Sequence, residues 1–271
     1  MTEPALTSTK NPRVRAAAGL RDRRERDEAG LTLVDGAREL ALALAGGAVV
    51  VEVFVDESRI APEGEAAVAL ARRRGATVVP VTGPVLDRLA YGDRSEGLVA
   101  TVRIPSLALE LLRLPDDPLV VVLEGVEKPG NLGAVLRTAD AAGADAVIAA
   151  DPRTDMFNPN AIRASLGTIF AVPLAAGSSA AVREDLVGRG LTLLAARVDA
   201  DTPYTEVDLR GPVALVLGGE ADGLTGAWSG PSILPVRLPM AGIADSLNVS
   251  ISAAILLYEA RRQRDVPPAA R

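Results

Sequence analysis

The sequence predicts an α/β protein of two domains, the second built on a mostly parallel sheet. Short apolar runs such as LVVVLEGV (119–126), DAVIAA (145–150), LTLLAARV (191–198) and GPVALVLGGE (211–220) alternate with helix-period segments, the rhythm of strands joined by crossover helices. Several of these runs are apolar on both faces, which requires helical cover on both sides of a parallel sheet. At 271 residues the chain is long enough for two cores. PSLALELLRLPDDP (105–118), with proline at both ends and little strand signal, marks the boundary. The expected division is a domain over 1–106, a linker over 107–118 whose leucines form a short docking helix, and a domain over 119–271.

The amino-terminal elements follow in order. Residues 11–28 are expected to form one arginine-rich helix, and LTLVDG (31–36) a short strand ending in a turn. Residues 37–45 suit a small helix, VVVEVFVD (49–56) a strand, and GEAAVALARRRG (64–75) a helix that exits into the strand ATVVPV (76–81). GLVATVRI (97–104) supplies another strand. In the second domain, NLGAVLRTADAAG (131–143) reads as a helix after the first strand, NAIRASLG (160–167) as a short helix, and residues 247–264 as a final long one. Ile251, Ala254, Ile255 and Tyr258 fall at spacings that make a buried stripe on it.

Composition excludes several chemistries. The chain has no cysteine and no histidine, which removes thiol nucleophiles, imidazole bases and Cys/His metal sites. No compact acidic cluster suggests a metal. No segment has the roughly 18 or more continuous apolar residues of a membrane span, and no apolar block resembles a secretory signal; no membrane association and a cytoplasmic location are expected. A formal charge of −6 opposes indiscriminate nucleic-acid binding, yet residues 10–26 carry seven basic and two acidic side chains. Such a segment serves equally as a solvated helix with internal ion pairs or as a phosphate-contact surface.

Three loops that follow apolar strands hold the chemistry-bearing residues. EGVEKPGNLGAVLR (124–137) offers Asn131 as a helix cap and Arg137 on the helix that follows. It contains neither GxGxxG nor GxxxxGKS/T, so no dinucleotide fingerprint or P-loop is supported. LGGEADG (217–223) is a glycine corner whose backbone amides, around Gly219, can receive a polar ligand, with Glu220 entering the next turn. LPMAGIADSLNVSISAAILLYEA (238–260) places Met240 on an apolar wall and Ser246 and Asn248 at a helix entrance. Each loop alone is satisfied by a plain structural role, namely a cap, a turn and a core methionine. Together they describe a composite site at the carboxyl ends of strands.

The combination of PGNLGAVLRTADAAG (129–143), LVLGGEADGL (215–224) and the long match at 238–260 resembles the SpoU/TrmH branch of the SPOUT RNA methyltransferases. RASLG (163–167) adds a secondary similarity, and NPRVRAAAGLRDRRERDEAGLTLVDGARE (11–39) looks like the amino-terminal RNA-recognition extension of many such proteins. The resemblance implies a SPOUT-like parallel-sheet domain with a deep trefoil knot. It also implies an amino-terminal ribosomal-protein-like α/β RNA-binding domain and a homodimer. The implied reaction moves a methyl group from S-adenosylmethionine to a ribose 2′-hydroxyl of structured RNA. By the same resemblance, Gly219, Glu220, Met240, Leu247 and Asn248 form the cofactor site. Arg137 is the central catalytic residue, with Ser246 and Asn248 orienting it, Asn131 organising the RNA side and Glu220 organising the site. Arg21, Arg23 and Arg24 join Asn131 and Arg137 in contacting substrate. Lys128 stands where the family usually has an acidic residue, a departure that bears on the charge of that loop. The amino-terminal extension leans toward 23S rRNA; a tRNA 2′-O-methyltransferase, a non-catalytic RNA-binding scaffold and a small-molecule α/β enzyme are the alternatives.

Overall fold

A computed structural model describes residues 4–91, 96–219 and 222–265. It divides into two compact units, Met1–Pro105 with Phe157–Ala171, and Ser106–Met156 with Val172–Arg271. The second therefore differs from the continuous 119–271 expected from sequence. The physical reason lies in β1 (Leu31–Asp35), where Thr32 Oγ1 donates to the Phe157 carbonyl at 2.7 Å. Nearby, the Phe170 carbonyl lies where a side chain on Gly46 would stand.

The first unit begins with α1 (Pro12–Gly19) and α2 (Arg23–Ala29), two helices where one was expected. The break has a local cause. Asp22 is extended and its side chain accepts from the Arg24 amide, so it starts a new helix rather than continuing the old one. After β1 come α3 (Ala37–Ala45), β2 (Val50–Val55), α4 (Pro62–Arg73), β3 (Thr77–Pro80), α5 (Gly83–Leu89) and β4 (Leu98–Arg103). The sheet order is β1-β4-β2-β3, with only β2 and β3 parallel. Val14, Ala17, Leu33, Phe54, Leu86 and Leu89 meet in its core, so α1 and α5 bury adjoining faces beneath the same sheet.

The second unit carries β5 (Leu119–Glu124), α6 (Pro129–Ala142) and β6 (Ala146–Ala150). The short α7 (Pro159–Ala164) belongs to the first unit. The chain then forms β7 (Leu174–Gly177), α8 (Ser179–Gly188), β8 (Thr192–Ala196), β9 (Val213–Leu217), β10 (Ile233–Val236) and α9 (Val249–Asp265). All six strands are parallel in the order β10-β8-β9-β5-β6-β7. The fully buried runs of β5, β6 and β9 are the continuous apolar strands that two-sided cover requires. Between the strand-bearing regions, the Leu107 carbonyl accepts from the Ala176 amide of β7, and Leu109–Leu111 form a 3-10 turn beside it.

The long helix α9 departs from the expected pattern. Its buried residues are Val249, Ala253, Leu256, Leu257 and Ala260, whereas Ile251 and Tyr258 are 51% and 53% exposed. Ala254 and Ile255 are half-buried, so the expected stripe runs along the edge of the packed face, and α9 makes its contacts with α6 and β9. Near its end, Arg264 donates to the carbonyls of Asp117, Pro118, Leu209 and Gly211. That fan ties the last helix to the starts of β5 and β9, and burial lowers the Arg264 pKa.

Candidate functional site

The site lies in the second unit, where β8, β9 and β10 end. A cleft of about 750 Å³ is lined by backbone and side chains from Ala196–Asp199, Leu217–Gly219, Asp222–Leu224, Leu238, Met240 and Asp245–Val249. This is the carboxyl edge of a parallel sheet, the usual place for a ligand in such folds.

The glycine corner after β9 is dictated by close packing. A Cβ on Gly218 would stand 2.1 Å from the Gly223 carbonyl carbon, and one on Gly219 would stand 3.0 Å from the Gly125 carbonyl oxygen. The loop closes through the Gly223 amide, which donates to the Gly219 carbonyl at 3.1 Å. Only glycine allows the chain to fold so tightly on itself and on the end of β5. Below the corner, Glu124 terminates β5 with a side chain that is 4% exposed. Its Oε1 accepts from Ser179 Oγ and Thr225 Oγ1, and its Oε2 from the Thr225 amide, each at 2.7 Å. One buried carboxylate thereby fixes the far end of the glycine corner to β5 and α8. Sequence reasoning passed over it; the signal was a lone acid closing an otherwise apolar strand, LVVVLE.

Asn248 caps α9: its Oδ1 accepts from the Ser250 amide at 2.9 Å and from Ser250 Oγ at 2.7 Å. Its Nδ2 donates to Asn131 Oδ1 at 3.3 Å, joining the first and third loops. Asn131 is not the cap of α6, as expected from sequence. The helix starts two residues earlier at Pro129, because proline's fixed φ suits the first turn, and Lys128 takes the cap position. Asn131 sits within the first turn, its amide donating to the Lys128 carbonyl. Ser246, Leu247 and Met240 all line the cleft, with Ser246 taking no part in the cap. Gly219 lines it as well, while Glu220 lies outside the described residues. Arg137 is exposed on α6 and is hydrogen-bonded to neither Ser246 nor Asn248. The structure thus brings together Asn131, Gly219, Met240, Ser246, Leu247 and Asn248, and leaves the Arg137 guanidinium free of bonds among the described residues.

The cleft carries charges of both signs, with Lys128 and Arg197 among its lining residues. Asp199, Asp222 and Asp245 line the cleft. The Arg197 guanidinium, hydrogen-bonded to Asp199, holds that carboxyl below its ordinary pKa. Arg153 bridges Asp222 at 3.0 Å and Glu127, tying the second loop to the first. Asp245 has no ion-pair partner among the described residues. Apolar surface from Leu224, Leu238, Met240 and Leu247 completes the wall. Carboxylates beside apolar and backbone surface match a ligand with a sulfonium, an ammonium and an aromatic ring system, and S-adenosylmethionine fits that donor set. Among the described residues no group of three or more acidic side chains is placed to hold a metal.

In the first unit, Arg21 donates to the Ala90 carbonyl and stands over the Tyr91 ring at 5.7 Å. Arg23 pairs with Asp27 at 3.6 Å and Arg24 with Glu28 at 2.8 Å.

A parallel sheet with a composite polar cleft at its carboxyl edge, built from loops after β5, β8, β9 and β10, is the architecture of an α/β domain that receives a small polar ligand. Comparison with known proteins makes the assignment particular. A model of the SpoU rRNA Methylase family matches residues 118–258, and one of the MRM3-like substrate binding domain matches residues 11–100. The chain belongs to the SpoU rRNA Methylase family. It is 36% identical to the 23S rRNA (guanosine-2'-O-)-methyltransferase RlmB of Ralstonia nicotianae, over 80% of this chain and 90% of that one. The 23S rRNA (guanosine(2553)-2'-O)-methyltransferase RlmP of Bacillus subtilis is 29% identical over 94% and 98% of the two chains. Among solved structures, an RNA 2'-O ribose methyltransferase matches with a TM-score of 0.84 at 42% identity, covering 97% of this chain and 100% of that one. An AdoMet-bound rRNA methyltransferase from Sinorhizobium meliloti matches with a TM-score of 0.86 at 30% identity, covering 96% and 97%.

Proposed function

We propose that this protein transfers a methyl group from S-adenosylmethionine to a ribose 2′-hydroxyl of 23S rRNA. The observation that carries the reading is the cleft at 217–224 and 238–249, joined to the first motif by the Asn248–Asn131 hydrogen bond. The relatives' names supply the substrate class.

When bound, S-adenosylmethionine supplies an already activated methyl group. The remaining work falls to this chain's residues. The backbone around Gly219, Met240 and Leu247 holds the cofactor, and Asp245 offers it negative charge; the role of site organiser given to Glu220 rests on the sequence motif. Asn131 organises the RNA side of the site, with Asn248 fixing its amide. Ser246 and Asn248, which do not bond to Arg137 in the free chain, orient it once RNA is bound. Arg137 is the central catalytic residue. A guanidinium stays protonated and accepts no hydrogen bond, so its role is to bind the phosphate next to the reacting ribose and stabilise negative charge as it develops on the oxygen. The hydroxyl proton leaves to water or to an RNA group.

The same reading includes a homodimer in the cytoplasm, a deep trefoil knot in the second unit, and a ribosomal-protein-like RNA-binding fold for the first. Support for the dimer comes from the exposed Ile251 and Tyr258, an unpartnered apolar face on a helix packed against α6. Support for the knot comes from membership of the SpoU rRNA Methylase family.

The deciding experiment measures tritiated methyl incorporation into unmodified 23S rRNA and into tRNA by purified protein and by Arg137→Ala. Transfer to rRNA that is lost in the variant, with cofactor affinity kept, supports the reading. Undiminished site-specific transfer by Arg137→Ala contradicts the role given to that residue.

A further inference from the structure

The basic run 10–26 holds seven cations, and the structure commits most of them to the protein itself. Arg13 pairs with Glu52, Arg23 with Asp27 and Arg24 with Glu28. Arg21 is held by the Ala90 carbonyl and the Tyr91 ring. Arg26 is buried, donating to the carbonyls of Leu20 and Arg21 at 2.8 and 2.9 Å. Lys10 and Arg15 remain, and neither side chain makes a hydrogen bond or ion pair among the described residues. Both line a groove of about 530 Å³ between α1 and α5, and a third such cation, Arg88 in the last turn of α5, joins them there.

Arg15, Ala18 and Gly19 lie at i, i+3 and i+4, on one face of α1, while Val14 and Ala17 face the core. The floor is therefore small residues flanked by cations, and Thr9 adds a hydroxyl at the rim. One carboxylate, Glu25, borders the floor, its side chain 3.7–4.0 Å from where a Gly19 Cβ would stand, so three cations stand against one adjacent acid. An ion-paired arginine projects little net field, whereas three unpaired cations lining one groove, only partly offset by Glu25, attract a polyanion even on a chain of net charge −6.

We propose that Lys10, Arg15 and Arg88 form the phosphate-contact groove through which the first unit grips the sugar-phosphate backbone of its RNA. The inference rests on the RNA reading above and moves the contact surface away from Arg23 and Arg24. Contacts of this kind position RNA without reading its bases. They bind ground state and transition state alike, so their loss raises KM and leaves kcat unchanged.

The test is Lys10→Gln/Arg15→Gln/Arg88→Gln in the full chain. The three residues are exposed, so the substitution empties no core, and thermal unfolding checks that the fold is kept. RNA affinity is measured against salt concentration with an unmodified 23S rRNA transcript. The expected result is a slope of log affinity on log salt reduced by about 2 to 3, a raised KM for RNA and an unchanged kcat. Lys10→Arg/Arg15→Lys/Arg88→Lys should restore the slope. Arg72→Gln/Arg73→Gln, at the exposed end of α4, controls for general charge loss. An unchanged slope in the triple variant, or an equal reduction in the Arg72/Arg73 control, overturns the groove. Because binding is read separately from transfer, absence of methyl transfer by the wild type would instead refute the methyltransferase reading.

Discussion

Replacing Glu124 with alanine should loosen the glycine corner and weaken cofactor binding, although Glu124 itself does not line the cleft. The carboxylate receives three hydrogen bonds at 2.7 Å, from Ser179 Oγ, Thr225 Oγ1 and the Thr225 amide. Its removal leaves a backbone N–H without its acceptor, at about 1–3 kcal/mol, and two hydroxyls that can partly satisfy each other. Adding the emptied volume gives a destabilisation of about 3–5 kcal/mol, and unfolding midpoints should fall by on the order of 10 °C. Glu124→Gln should cost only about 1 kcal/mol, since its amide oxygen still accepts from the Thr225 amide and hydroxyls can accept from its nitrogen. Because Thr225 ends the segment that begins at Gly218, freeing it should raise the Kd for S-adenosylmethionine by about tenfold, equivalent to roughly 1.4 kcal/mol. Calorimetric titration of cofactor into wild type, Glu124→Gln and Glu124→Ala reads this directly. A Glu124→Ala protein with wild-type unfolding and wild-type affinity would refute the clamp.

Four further outcomes follow from the geometry. Arg264→Ala should destabilise by about 1–3 kcal/mol, since it removes the donor from the Leu209 and Gly211 carbonyls, while the Pro118 carbonyl keeps the Val213 amide and that of Asp117 is exposed; urea unfolding checks it. Burial is the largest cause that pushes the Asp35 carboxyl up to about 6, against the opposing pull of the Tyr91 amide and Arg163. The native state then keeps that proton between about pH 4 and 6 where the unfolded chain releases it, so stability should fall as pH rises through this window and level off above it. Asp35→Asn should remove that slope and gain on the order of 1–2 kcal/mol at pH 7, after allowance for solvent screening of a partly exposed group. Ile251→Asp/Tyr258→Asp should leave a folded monomer by analytical ultracentrifugation, because both side chains are half exposed in the single chain; a persistent dimer would place the interface elsewhere.

Periodicity located most strands to within a residue or two because their apolar runs end at glycine or proline. Residues 119–124, 146–150 and 213–217 are fully buried strands as their composition demands. What it missed depends on contacts distant in sequence. The break at Leu20–Asp22 turns on one capping side chain, and residues 157–171 join the first unit through a hydroxyl on β1. Ile251 and Tyr258 on α9 have the same spacing as buried residues yet are half exposed; only the packing partner distinguishes the two cases. In the site, the loop residues were legible because glycines and polar residues after apolar strands are a local signal. The pairing of Asn248 with Asn131 is not local, nor is the difference between a paired and an unpaired arginine in residues 10–26.

Nucleotide-resolution mapping of ribose methylation, in 23S rRNA from cells with and without this protein, followed by reconstitution on the unmodified RNA, tests the central claim most directly. A single 2′-O-methyl mark that disappears without the protein and is restored by purified protein with S-adenosylmethionine is the result predicted here. Identical methylation maps, with no transfer to unmodified 23S rRNA in vitro, would contradict it.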